Sequence, residues 1–447
     1  MTRVTMVGGA FVGALLLLVL ALVVRYPALQ QDVEPAATSP PAITAEIHPG
    51  FIYGRITTVD DGTYEGRLRW GGDEEAFWGD YFDGAKHENP WAVHVPGAQE
   101  PSPIEIFGFE IGGPDRPNLG RPFMTRFGDI ARIEAHFGDV QVTLKSGTMF
   151  ELDRFSAGDI DDGVRVWDSR RGVVDLDARE IRTIEFLSTA PGAAAPERLH
   201  GTVRTRQGAF TGFIQWNRLD GVGTDELDAR TAEGERRLRY DTIRSIARRS
   251  QDGALVTLLD GREVVLERAR VADRRGDTND VGRRNRGIYV DDTRYGRVLI
   301  SWEAFERVDF SPRGSGPAYG DFPPGRPLAG SVATRDGRRL AGRLVFDFDE
   351  SETTETFDVS DDGVDYNIPF GLITSIVPRG REAAQRARVT LHDGEELHFE
   401  RNGDLGDGNA GMLIFVDGRE RPDYVPWTDV EQVDFDRTPA MYPPLGG

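Results

Sequence analysis

The chain of 447 residues has no cysteine, which excludes disulfides, thiolate nucleophiles, cysteine–zinc sites and iron–sulfur clusters. Lysine is nearly missing. Of 53 Lys+Arg only Lys86 and Lys145 are lysine, a skew that fits codon bias as readily as chemistry. Positive charge is short overall, with 74 Asp+Glu giving a net charge of −21. A duplex nucleic-acid binder needs a basic face, so no nucleic-acid partner is expected. Broad docking on anionic lipid is disfavoured for the same reason. No HExxH, GxSxG, Walker or dinucleotide fingerprint stands in a supporting strand–helix context. Carboxylate pairs are too numerous to single out a glycosidase-like couple. The expectation is a protein that is not an enzyme.

Long apolar runs are also lacking, with one exception. Residues 7–24 (VGGAFVGALLLLVLALVV) are uncharged, with Arg3 before them and Arg25 after. That length spans a bilayer as a helix. No small-x-small cleavage site follows, so an uncleaved signal anchor is expected, with the bulk extracytoplasmic (periplasmic or at the cell surface). A secreted chain, after signal-peptide cleavage, is the alternative. Residues 30–50 are rich in Pro, Ala, Ser and Thr and read as a flexible linker.

What is present in abundance is repetition. Gly54-Arg55-Ile56-Thr57-Thr58 returns as Gly201-Thr202-Val203-Arg204-Thr205 and Gly330-Ser331-Val332-Ala333-Thr334. Each copy reaches a turn Gly (Gly62, Gly208, Gly337) and a second Gly (Gly66, Gly212, Gly342), a hairpin signature with a bend in the return strand. A second phrase follows each: Val142-Thr143-Leu144, Val256-Thr257-Leu258 and Val389-Thr390-Leu391. Its apolar residues are symmetric about Gly147, Gly261 and Gly394. An odd-length loop pairing Leu144 with Phe150, Leu258 with Val264 and Leu391 with Leu397 is therefore expected. On that register His398 faces Thr390.

Both phrases close on aromatic-x-x-aliphatic-x-x-aliphatic, as in Phe127-Ile130-Ile133, Tyr240-Ile243-Ile246, Phe370-Ile373-Ile376 and Trp427-Val430-Val433. A period of three over one short stretch predicts a single 3₁₀ turn feeding a strand. These half-repeats resemble SH3-like or Sm-like small barrels, a likeness of fold that carries no functional residues across. The expected architecture is all-β: three A/B pairs of small barrels after one N-terminal transmembrane helix (1–29). Repeat 1 takes 51–190 (A 51–135 with an insertion at 71–126, B 136–190). Repeat 2 takes 198–312 (A 198–250, B 251–312), and repeat 3 takes 327–437 (A 327–380, B 386–437). A tail, 438–447, follows. Whether A and B are separate barrels or halves of one stays open.

Two features are candidate sites. The insertion carries Trp78, Tyr81, Phe82 and Trp91, which would suit a stacking platform for envelope polysaccharide or a partner's hot spot. The structural alternative is that they cover the repeat's own core or seal it to the next module. After each B hairpin comes Gly-Asp-x-x-Asp, giving Asp159 and Asp162, Asp277 and Asp280, Asp404 and Asp407. Paired carboxylates in a loop are calcium ligands in principle; the alternative is an Asx-capped turn. The functional expectation is an extracytoplasmic scaffold or binding protein with a protein partner. Polysaccharide binding and a calcium-dependent array are the alternatives.

Overall fold

The computed structural model describes residues 49–71, 74–86, 89–94, 104–106, 109–111, 122–136, 138–154, 163–189, 197–267, 280–312, 316–379, 386–400, 403–405 and 409–437. The expected anchor and most of the linker lie outside them. Among the described residues no helix is long and apolar enough to cross a membrane. The described residues fall in one compact unit, Thr44–Gly447, and they are all-β.

Repeat 1 supplies β1 (Tyr53–Thr58), β2 (Thr63–Trp70), β3 (Tyr81–Ala85), β4 (Ile104–Ile106), β5 (Phe109–Ile111), β6 (Pro122–Arg126), β7 (Ile130–Ala135), β8 (Asp139–Leu144), β9 (Met149–Asp153), β10 (Val164–Asp168), β11 (Gly172–Leu176) and β12 (Ile181–Phe186). Repeat 2 supplies β13 (His200–Thr205), β14 (Ala209–Gln215), β15 (Glu226–Thr231), β16 (Gly234–Arg239), β17 (Ile243–Ser250), β18 (Gly253–Leu258), β19 (Glu263–Glu267), β20 (Ile288–Asp292), β21 (Gly296–Ile300) and β22 (Phe305–Phe310). Repeat 3 supplies β23 (Ala329–Thr334), β24 (Arg339–Phe346), β25 (Thr356–Asp361), β26 (Val364–Pro369), β27 (Ile373–Arg379), β28 (Arg386–Leu391), β29 (Glu396–Glu400), β30 (Met412–Phe415), β31 (Asp423–Val425) and β32 (Val430–Phe435).

Halves A and B are interleaved in one sheet. In repeat 2 the order is β16-β15-β19-β18-β17-β22-β13-β14-β20-β21, which reads the same when A and B are exchanged. The closing strand of B (β22) lies between the first strand of A (β13) and the closing strand of A (β17). Repeat 1 (β11-β10-β2-β1-β12-β7-β8-β9) and repeat 3 (β29-β28-β27-β32-β23-β24-β30-β31) keep the same central order. Each pair is therefore an internal pseudo-dimer, and neither half holds its own closing strand beside its own hairpin.

The recurring glycines make this crossing possible. Gly54 sits opposite Gly66, Gly201 opposite Gly212, and Gly330 opposite Gly342. A Cβ on Gly66 would lie 2.0 Å from the Trp167 carbonyl oxygen, and one on Gly330 2.0 Å from that of Asp434. The neighbouring strands approach so closely on both sides that only glycine leaves room.

The aromatic-led cadences form 3₁₀ turns at Phe127–Asp129, Tyr240–Thr242, Phe370–Leu372 and Trp427–Asp429, each feeding a closing strand. The B hairpins have the expected odd loop but slip by one pair. Val142 faces Phe150, Val256 faces Val264 and Val389 faces Leu397. Leu144, Leu258 and Leu391 instead match Ile130, Ile243 and Ile373 on the closing strand of A. The slip also places His398 opposite Arg388, not Thr390.

Two main apolar cores result. One runs without a break through repeats 2 and 3; the other fills repeat 1 and takes in Phe213 and Phe322.

Candidate functional site

The most specific chemistry of the described residues lies where the repeats meet, and it grows from one loop present three times. After the return strand the chain turns sharply at Trp70, Trp216 or Phe346, closed by a bridge to Glu74, Asp220 or Glu350. A carboxylate then folds back to accept two loop amides. Asp80 takes those of Glu75 and Ala76 at 2.9 and 2.8 Å. Asp225 takes Gly221 and Val222 at 2.9 and 3.0 Å, and Glu355 takes Ser351 and Glu352 at 2.6 and 2.9 Å. Each leaves a second oxygen. In repeat 1 that oxygen receives the Gln215 amide of repeat 2 at 3.5 Å. In repeat 3 it receives the Lys86 ammonium of repeat 1 at 2.8 Å. A carboxylate that shapes its own loop thus becomes a joint to another repeat.

Lys86 also binds Asp349 at 2.6 Å, and all three side chains are less than a tenth exposed. Their surroundings are acidic. Burial, with Asp349, Asp404 and Asp347 nearby, drives the Glu350 carboxyl well above its ordinary value. Burial beside Asp349 and Asp83 pushes Asp358 up to about 6, and burial next to Asp358 raises Asp404 strongly. So many carboxylates crowded out of water around a single ammonium disfavour one another's ionisation, and this raises them above the ordinary carboxylate range.

The joint to repeat 2 pairs guanidinium groups with rings. Arg198 lies over Phe213 at 4.4 Å, and Arg297 over Tyr289 at 3.6 Å and Tyr81 at 4.7 Å. Arg198 approaches Asp291 at 4.0 Å. Burial raises Asp291 to about 6, against the pull of Arg297 and Arg198. Gly79 (φ +103°) lets the chain pass here, since a Cβ would lie 1.9 Å from Asp291 Oδ2. The second lysine has a similar post. Lys145 donates to the carbonyls of Tyr319 and Phe322 at 2.5 and 3.1 Å, in the segment between repeats 2 and 3.

The insertion aromatics mostly face inward. Trp78, Tyr81 and Phe82 are buried: Trp78 beside Phe322, Tyr81 under Arg297, Phe82 against Trp70 and Phe127. Trp91 is half-buried, edge-on to Phe415 with Arg343 alongside. A stacking platform needs open ring faces, which the first three do not offer.

Of the acidic-loop residues, Asp280 and Asp404 are described, while Asp159, Asp162, Asp277 and Asp407 lie outside. Asp280 accepts the Asp228 amide at 2.5 Å and Asp404 that of Asp358 at 2.7 Å. Their carbonyls take Asn285 and Asn409. The two are structural equivalents, although Gly-Asp-x-x-Asp matches Asp404 with Asp277. Among the described residues no group of three or more His, Asp or Glu is disposed to hold a metal ion.

The sequence reading missed Lys86, Arg198, Asp291 and Arg297. The signal for the first was the rarity of lysine itself: both copies sit in inter-repeat contacts. For the arginines no local signal existed among so many. Comparison with known proteins returned no matching family model, no matching curated protein and no matching solved structure.

Proposed function

We propose that the chain is an extracytoplasmic scaffold or binding protein without catalytic activity, anchored by residues 7–24. On this reading it presents three pairs of small SH3-like β modules to a protein partner. The observation that carries it is the joint at Lys86, Asp349 and Glu355: a buried ammonium of repeat 1 bonds two buried carboxylates of repeat 3 across a repeat boundary. That is the chemistry of a rigid body. The uncharged run 7–24 and the Pro-rich stretch 30–50 support a tethered position.

Topology reporters test this. Alkaline phosphatase fused after Gly447 should be active and the fusion should resist carbonate extraction. A fluorescent cytoplasmic-type GFP fusion with inactive phosphatase would overturn the placement.

A further inference from the structure

Repeats 2 and 3 join edge to edge. The outer strand of the second hairpin of B2, β21, pairs with the outer strand of the second hairpin of A3, β26. The register is Arg297↔Asn367, Val298↔Tyr366, Leu299↔Asp365 and Ile300↔Val364.

Edges of the same two kinds recur. The three-residue β31 of B3 ends the repeat 3 sheet, and β6 of A1 is paired only with β3 but largely buried at Phe123, Thr125 and Arg126. Two further strands, β11 and β16, also lack an outer partner among the described strands. The outer strand of B1 is β11, at the end of the repeat 1 sheet, and the outer strand of A2 is β16, at the end of the repeat 2 sheet. Their hairpins match those of the closed joint. Gly172 faces Asp168 as Gly296 faces Asp292, and Arg236 faces Ala229 as Tyr366 faces Val359. Val173 is 43 % exposed on β11; Arg236, Arg237 and Arg239 are exposed on β16.

We propose that β11 of one copy pairs with β16 of a second copy, repeating between molecules the joint that β21 and β26 make within one. Carrying the register across sets Val173 against Arg237, Val174 against Arg236 and Asp175 against Glu235. The one like-charged rung is neutralised on both sides. Arg165 lies opposite Asp175 and bonds it at 2.6 Å, and Arg230 lies opposite Glu235. The ladder across four strands would read plus, minus, minus, plus.

Net charge also favours this pairing. Residues 51–190 hold 15 Lys+Arg and 26 Asp+Glu, and residues 327–437 hold 12 and 24. Residues 198–312 hold 22 Arg and 19 Asp+Glu. An excess-positive repeat 2 therefore meets an acidic repeat 1 of its neighbour. β11 and β16 are different edges of one chain, so their contact is head-to-tail and propagates. The proposal stands on the strand edges and is independent of the tether.

The absence of cysteine makes the test clean. Two differently tagged full-length chains, one Val174→Cys and one Arg236→Cys, are co-expressed, extracted in mild detergent and mildly oxidised. Directly opposed strand residues suit a disulfide, so a mixed dimer is expected. A Val174→Cys/Arg239→Cys pair, three residues out of register, should give at least fivefold less. Arg236 is exposed, and Val174, half-buried against the repeat 1 core, is replaced by a side chain of similar size; circular dichroism of each variant checks folding. Equal yields, no mixed dimer, dominant Val174→Cys homodimers (a symmetric edge contact) or capture of an unrelated chain would each overturn the proposal.

Discussion

The two kinds of joint in this molecule are built from opposite materials. The sheet of repeat 2 runs on into the β25–β26 hairpin of repeat 3, and the two repeats share one apolar core and a chain of ring contacts among Phe210, Tyr295, Tyr366 and Phe399, with touching rings 5.2–5.9 Å apart. Repeat 1 has a separate core, which borrows Phe213 and Phe322 from outside the repeat, and its joints add buried ammonium, guanidinium and carboxylate groups. The sheet joint rests on backbone bonds that almost any sequence supplies, together with apolar burial. The ionic joint depends on a few side chains in fixed places, and removing one partner leaves a charge stranded out of water. The lesson is that one repeat can be welded and another keyed, within a single fold.

The largest effect is expected at the key. Lys86→Met leaves Asp349 and Glu355 without their cation and should cost about 3–5 kcal/mol in urea unfolding, with repeat 1 opening first. Loss of less than about 1 kcal/mol would mean that the ionic contacts are not what seats repeat 1.

A middle effect should come from pH. Burial holds Asp291 and Asp358 at about 6, above the ordinary carboxylate value near 3.9. Folding therefore takes up protons at these sites. Their contribution is complete below the ordinary value and is lost as pH rises through about 6. Hydrogen exchange, corrected for intrinsic rate, should show β3 and β6 roughly tenfold better protected at pH 5.5 than at pH 8, about 1.4 kcal/mol. The β18–β19 ladder, which carries neither carboxylate, should change much less. An equal change there would mean that the joints have no pH dependence of their own.

The smallest effect belongs to the sheet joint's surface charge. Arg206 and Asp362 meet across it at 3.9 Å with both side chains more than half exposed. Arg206→Ala should stay within about 0.5 kcal/mol of the parent in the same urea titration.

Much of the local structure was legible. The aromatic-x-x-aliphatic cadence gave the 3₁₀ turns because one turn is encoded by adjacent residues. The paired glycines marked the hairpins, although the close approach of β10 and β12 that demands them has no trace in the sequence. The one-pair slip of the B hairpins was hidden because symmetry about Gly147 looks like pairing, whereas Leu144 is matched to Ile130 on another strand. Interleaving of A and B was illegible for the same reason on a larger scale. The equivalence of Asp280 with Asp404 was masked by a Gly-Asp-x-x-Asp spacing that repeats out of step with the fold. Lys86 was visible as an oddity of composition, but its meaning required Asp349 and Glu355, more than 260 residues away.

The interleaved closing strands bear on how such a chain is made and where it came from. β1 finds β12 about 130 residues later, so half A leaves the ribosome with an open edge and waits for half B. The A/B pair is then the smallest piece that can mature alone, and cutting between halves should yield two sticky fragments. A half whose last strand belongs beside its twin's first is a two-fold homodimer written on one chain. Gene fusion of such a dimer, followed by triplication, gives this order of strands directly.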